Sequence, residues 1–174
     1  GLVKNLNQII KSEDTFLLSH WGADYKGWGQ YPELEGKPEF QNWFIISAPK
    51  HPFLGATIGD VIENIERYSV KRFGTGKIGG VRTTGPIPYS KVIYKLKSLY
   101  PCRIIDSKKE GLQYSIFENE SNKLQHVKQF TSHYSQMTKP VVLAANETIN
   151  EANNEANSEL NPEIEHTNGN DHSA

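Results

Sequence analysis

Amide, hydroxyl and aromatic side chains stand at two points of the chain where they could bind an oxygen-rich ligand. Asn42 and Trp43 begin an apolar run, and Thr84 and Gly85 belong to a Thr-Gly-Pro turn. Asn and Thr side chains can hydrogen-bond the hydroxyl groups of such a ligand, although capping of a turn or a strand end explains them at least as well. Backbone N–H groups at the start of the helix predicted after the turn would also face such a ligand.

The stretch 21–40 is a second place where ligand chemistry is expected. It is dense in Gly, Pro and aromatic residues and has no clean hydrophobic period. Long loops in compact domains are usually functional or disordered. The aromatic residues, Trp28 among them, predict either a loop pinned to its own core or an aromatic wall for a flat ligand such as a sugar ring.

Composition narrows the classes of protein that the chain could represent. It has 174 residues, a formal net charge of -1 and one cysteine, Cys102. Near-zero charge gives no bulk field that favours nucleic acid or an anionic membrane. A single cysteine excludes an internal disulfide and a multi-cysteine metal site, and its apolar neighbours predict a small core residue. The sequence contains no apolar run long enough to span a bilayer.

Short apolar runs and helical periods supply the elements that must position these groups. The runs 15–20 and 102–106 have strand length, and a third strand is predicted at 114–118. The run 43–47 is apolar until Ser47, which predicts a strand buried on both faces. Helical spacing predicts a helix over 2–11, although its first turn could also be the tail of a strand. The alternation of strands and helices indicates an α/β fold.

Two longer helices follow the run at 43–47. One is predicted from Pro52 to about Arg67, because Pro suits a first helical turn and apolar residues recur there at helical spacing: Leu54, Ile58, Val61, Ile62 and Ile65. Gly55 and Gly59 inside it predict close approach of another backbone. The other helix is predicted over 87–100.

The stretch 69–83 between those helices carries four glycines and four basic residues. A flexible, solvated loop is the first expectation. A phosphate cradle built from backbone N–H groups is the less favoured alternative, because the spacing matches neither the Walker nor the dinucleotide motif.

The end of the chain differs from the rest. After about Ala145 it is dominated by Asn and Glu and contains no aromatic residue. Such a segment cannot bury enough apolar area to offset its ordering entropy. We therefore expect a folded domain over 1–144 and a disordered tail over 145–174.

Three stretches in order resemble one known family. They are QNWFIISAPKHPFL with its helix, TTGPIPYSKVIYKL, and a late His133 in SHYSQM. The set is similar to glycosyltransferases with a DXD-containing sugar-binding region, such as initiation-type mannosyltransferases and capsular-polysaccharide sugar transferases. The resemblance implies a GT-A-like α/β fold with a mixed sheet and flanking helices. It covers roughly residues 1–138.

The resemblance also implies an activity: transfer of a sugar, with expected retention of configuration, from a nucleotide-sugar donor to a glycan or lipid-linked acceptor. Asn42, Trp43, Thr84 and Gly85 would contact substrate. Asp24 in the aromatic loop could orient an acceptor hydroxyl. A divalent cation, Mn²⁺ or Mg²⁺, would stabilise the leaving diphosphate. His133 would complete the shell of that cation, unless it is an ordinary turn histidine; His126 is equally eligible.

One departure from the family qualifies that expectation. No Asp-X-Asp occurs in the first residues, so the chain resembles the C-terminal, acceptor-side part of such a domain, truncated at its N-terminus. The alternative is a non-catalytic carbohydrate-binding module or pseudo-enzyme. A nucleic-acid-binding protein, which the basic Gly-rich stretch 69–83 could suggest, is disfavoured by the near-zero net charge and the absence of a recognised motif. The family implies a cytoplasmic location near the inner membrane, or the Golgi lumen if an upstream anchor exists.

Overall fold

The computed structural model describes residues 1–21, 29–114 and 137–143. The chain divides into two units, Gly1–Val142 and Leu143–Ala174, and the described helices and strands belong to the first. The fold is mixed α/β. Its strands are β1 (Phe16–Ser19), β2 (Ile46–Ser47) and β3 (Arg103–Ile105), and its helices are α1 (Leu6–Ile9), α2 (Pro52–Glu66), α3 (Val70–Phe73), α4 (Gly76–Thr83) and α5 (Pro86–Leu96). A 3-10 turn covers Pro32–Leu34.

The three strands form one mixed sheet in the order β2-β1-β3. β1 runs parallel to β3, with Leu18 opposite Ile104, and antiparallel to β2, with Phe16 opposite Ser47. All four residues of β1 are buried because it is the central strand. The strands predicted at 15–20 and 102–106 are therefore confirmed. The strand predicted at 114–118 and the tail predicted over 145–174 lie outside the described residues, apart from residue 114.

Side chains of β1 alternate between two hydrophobic clusters, as the pleat of a strand requires. One face carries Phe16 and Leu18, and the other carries Leu17. The first cluster is completed by Phe40, Phe53, Tyr89 and Ile93, and the second by Ile9, Ile105 and Leu112. Cys102 packs partly buried against the first cluster, and burial raises the pKa of its thiol. This placement confirms the prediction of a packing role.

The prediction for residues 43–47 is wrong in one respect. Only Ile46–Ser47 is strand, and both residues are half-buried. Ile45 is exposed, because β2 lies at the edge of the sheet and has solvent on one side. The helix predicted over 2–11 is also shorter in the structure, where only Leu6–Ile9 is helical.

α2 begins and ends where the sequence predicts. His51 precedes it, and its Nδ1 accepts a hydrogen bond from the Phe53 N–H at 3.2 Å. Pro52 occupies the first turn, and Arg67 follows the last helical residue. The expected close approach of a backbone at Gly55 and Gly59 is wrong for the described part of the chain, since a side chain built at either glycine would meet none of its atoms within 4 Å.

The stretch 69–83, expected to be a loop, is helical. The Ser69 hydroxyl accepts a hydrogen bond from the Arg72 N–H and caps α3, and Gly74 at φ +85° ends that helix. α4 then starts at Gly76. A Cβ atom added at Gly79 would lie only 2.8 Å from the Gly74 carbonyl oxygen, so a side chain there would be too close to the backbone of Gly74. The glycines serve a tight junction between two helices. No helix in the described ranges is long and apolar enough to cross a membrane.

Candidate functional site

The carboxyl ends of β1 and β3 meet at one edge of the sheet, where α/β proteins commonly bind ligands. The Gln41 N–H donates a hydrogen bond to the Ser19 carbonyl at 2.8 Å. The Ser107 hydroxyl donates to Gln41 Oε1 at 3.0 Å, and the Ser107 N–H donates to the Ser19 hydroxyl at 3.3 Å. All three side chains are buried. Their bonds form a fixed polar floor that joins both strands to the segment before β2.

His20 directly follows β1 and lies beside that floor. Its Nδ1 is 3.0 Å from the Glu39 carbonyl oxygen, which can only accept, so Nδ1 carries the proton. The ring stacks on Phe40 with centroids 4.2 Å apart. Burial lowers the pKa of His20, partly opposed by the Glu39 carbonyl. A lowered pKa favours the neutral imidazole, in which Nε2 is a hydrogen-bond acceptor.

Glu39 is a buried carboxyl next to His20, with 4% of its surface exposed. The Trp21 indole N–H donates to Glu39 Oε1 at 2.7 Å. Burial raises the pKa of Glu39, and the hydrogen bond from Trp21 opposes that shift. A carboxyl held at an energetic cost is a common sign of a functional site. Here it also fixes the orientation of the Trp21 ring.

Three aromatic side chains border the same edge. Tyr114 contacts Trp21 and Trp43 edge to face, with centroids 5.1 and 5.6 Å away. The Trp43 indole nitrogen is buried and has no hydrogen-bond partner among the described residues. Buried N–H groups usually have one, so this donor stands ready for a ligand or a water. Aromatic faces beside hydrogen-bonding groups suit a ring that carries hydroxyls.

The residues predicted from sequence separate into two places. Asn42 is exposed and follows Gln41, and Trp43 packs against the second cluster. Thr84 and Gly85 lie instead at the junction of α4 and α5, where both backbone N–H groups donate to the Gly80 carbonyl. The Thr84 hydroxyl is 3.4 Å from the same oxygen. These contacts are local turn bonds, which is the alternative to ligand binding that the sequence left open for Thr84 and Gly85.

Four further predictions lie outside the described residues: Asp24, Trp28, His126 and His133. Within the described part of the chain, no three His, Cys, Asp or Glu side chains gather as a metal site would require. None of the described residues is therefore assigned to the expected Mn²⁺ or Mg²⁺, and no chemical step is assigned to a cation.

An open groove of about 450 Å³ lies in the described part of the aromatic loop, after residues 22–28. Its volume falls within the usual range for ligand pockets. The groove borders α5, because the Tyr94 hydroxyl donates to the Pro38 carbonyl at 2.6 Å. Its lining consists of Gln30, Tyr31, Pro32, Gly36, Lys37 and Pro38.

Comparison of the chain with protein-family models, with curated proteins and with solved structures finds no match. The similarity to DXD glycosyltransferases therefore rests on the sequence motifs alone. The chemistry of the site has to be inferred from the geometry of the described residues.

His20, Glu39 and Tyr114 lie at the candidate site but were not among the site residues predicted from sequence. The available signal was position: His20 and Trp21 follow directly after a confirmed strand. Carboxyl ends of parallel strands collect functional groups, but the sequence does not say which strands run parallel. No sequence pattern pointed to Glu39, because it lies 19 residues away from His20, whose ring bonds the Glu39 backbone carbonyl.

We expect Glu39→Gln to make the protein more stable at neutral pH. The raised pKa of Glu39 means that its carboxylate destabilises the fold as pH rises through that pKa, whereas the protonated form carries no such cost. The glutamine oxygen can still accept from Trp21. Urea unfolding should therefore show a gain at pH 7 that disappears toward pH 4.

A second substitution tests the same explanation. Trp21→Phe removes the donor that lowers the pKa of Glu39, so the loss of stability between acid and neutral pH should become larger. A gain from Glu39→Gln that is equal at both pH values would contradict the burial of a charged carboxylate as its cause.

Proposed function

We propose that this chain is the acceptor-side part of a GT-A-like, nucleotide-sugar-dependent glycosyltransferase, and that the edge around His20 binds a sugar. The observation that carries the proposal is the meeting of hydrogen-bonding and aromatic side chains at the carboxyl ends of the parallel strands β1 and β3. The sequence motifs around Asn42 and Gly85 support the same class of enzyme. The donor nucleotide and the cation would be held by residues other than those described.

Sugar transfer requires an acceptor hydroxyl to approach the anomeric carbon and to give up its proton as the diphosphate leaves. His20 offers Nε2 as an acceptor for such a hydroxyl, since Nδ1 is bound to the Glu39 carbonyl. Trp43 offers its buried indole N–H as a donor, and Asn42 is exposed next to it. Trp21 and Tyr114 lie beside these groups, and their rings meet edge to face with centroids 5.1 Å apart.

The test is saturation-transfer NMR of the chain with hexoses and with uridine and guanosine diphosphate sugars. We expect a hexose signal in the wild type, and His20→Ala should weaken binding by about two- to tenfold, the value of one hydrogen bond. Lys37→Ala, in the groove of the aromatic loop, is the control and should leave the hexose signal unchanged. Absence of any sugar signal would refute the proposal.

Release of free nucleoside diphosphate from the same donors, with and without Mn²⁺, separates catalysis from binding. Release that a chelator abolishes supports the transferase. Sugar binding without release favours the non-catalytic carbohydrate-binding module instead.

A further inference from the structure

α2 exposes the side of the helix that its sequence would be expected to bury. Ile58, Ile62 and Ile65 are 60%, 51% and 40% exposed, although all three belong to the apolar period of the helix. The buried side carries Phe53, which lies in the first hydrophobic cluster, and Asn64, whose side chain donates to the Thr83 carbonyl at 3.3 Å. α2 therefore meets α4 and α5 through a partly polar side, and the described part of the chain leaves its isoleucines uncovered.

Two glycines continue this exposed face. At 100° per residue, Gly55 and Gly59 lie beside Ile58 and Ile62 on the same side of the helix. A side chain at either glycine would meet no described atom within 4 Å. A glycine inside a helix costs stability relative to alanine, so its presence needs a reason. Close approach of another helix is such a reason, because the space above both glycines is open.

We propose that this face, formed by Gly55, Ile58, Gly59, Ile62 and Ile65, pairs with the same face of a second copy of the chain, with the two α2 helices antiparallel. Gly59 is the eighth of the 15 residues of α2 and therefore its midpoint. Two identical helices related by a two-fold axis cross at equivalent points, and a glycine there permits the closest contact.

Charge along α2 favours an antiparallel second copy. Glu66 is the last residue of α2, where the helix dipole disfavours negative charge, and Lys50 lies just before the N-terminal end. Glu63, three residues earlier, is already paired with Arg67 of its own chain. Antiparallel pairing brings Glu66 of each copy toward the second copy's Lys50 and toward the positive end of its helix.

The first experiment is sedimentation velocity of the full chain over a roughly hundredfold range of concentration. One helix pair is a small interface, so we expect a reversible dimer that forms as concentration rises. Gly59→Leu and Ile62→Glu should each weaken dimerisation by about tenfold or more. Ala56→Leu, on the same helix but away from the isoleucines, is the matched control and should leave the dimer unchanged.

The thermal midpoint separates loss of the dimer from loss of the fold. Because space at Gly59 is open in the described part of the single chain, Gly59→Leu should leave the midpoint equal or higher while it weakens association. A chain that stays monomeric throughout the range, or a dimer that neither substitution weakens, would overturn the proposal.

Charge reversal tests the antiparallel arrangement. Lys50→Glu and Glu66→Lys should each weaken the dimer by about twofold to fivefold, the value of an exposed ion pair. The double reversal restores opposite charges and should recover most of the affinity. If the double variant is weaker than both single variants, the antiparallel pairing is wrong.

Discussion

Phe40→Ala is expected to lower the free energy of unfolding by about 3–5 kcal/mol, the usual cost of removing a large aromatic side chain from a core. Phe40 is fully buried. Its ring lies between His20 at 4.2 Å and Tyr94 at 4.8 Å, measured between centroids. Its backbone N–H also donates to the buried Ser90 hydroxyl at 2.9 Å, which ties the loop before β2 to α5.

Urea unfolding at neutral pH measures this loss. Phe40→Leu keeps most of the apolar volume and should cost about 1.5 kcal/mol or less. Because Phe40 supports the His20 ring, Phe40→Ala should also weaken hexose binding under conditions in which the variant is still folded. A loss below about 1.5 kcal/mol for Phe40→Ala would show that the neighbouring rings refill the space.

Gly76→Ala is expected to cost about 2–5 kcal/mol, the sum of a left-handed backbone and overpacking. Gly76 has φ +54°, and an added Cβ would collide with the Met137 carbonyl oxygen. The Gly76 N–H also donates to the Lys139 carbonyl at 2.9 Å. Either α4 must shift at its start or residues 137–142 must move away from it.

Gly80→Ala is the matched control for that substitution, since the space at Gly80 is open and α4 gains up to about 1 kcal/mol of helix propensity. Urea unfolding compares the two variants, and limited proteolysis shows whether 137–142 becomes accessible in Gly76→Ala. Equal stability of the two variants would contradict the close contact between Gly76 and the Met137 carbonyl.

Much of the local structure followed from sequence because its signals are local. Pro52 and the His51 cap define the start of α2, and Arg103–Ile105 lies in the stretch 102–106, which was recognisable as a short strand. The stretch 69–83 was mispredicted because glycine suggests a loop, whereas Gly74 and Gly76 take positive φ to join two helices. The distinction depends on which backbone approaches each glycine, and sequence does not contain that information.

The site was predictable only in part. Asn42 and Trp43 were named from sequence and lie next to the polar floor at the carboxyl edge. Thr84 and Gly85 were named with them, but their contacts belong to the α4–α5 junction. His20 and Glu39 became visible only when the fold brought the two segments together, with Nδ1 of the histidine 3.0 Å from the glutamate carbonyl.

Hydrophobic period, proline and capping act over a few residues, so the amino-acid sequence alone was sufficient for the α/β class and for the positions of β1, α2 and β3. The groups that meet at the carboxyl edge could be identified only in the folded chain, since Ser19, Gln41 and Ser107 come from distant parts of it. Folding also determines that α2 buries Phe53 and leaves Ile58 exposed. The period of a helix identifies an apolar face, but the packing of neighbouring elements decides whether that face is covered.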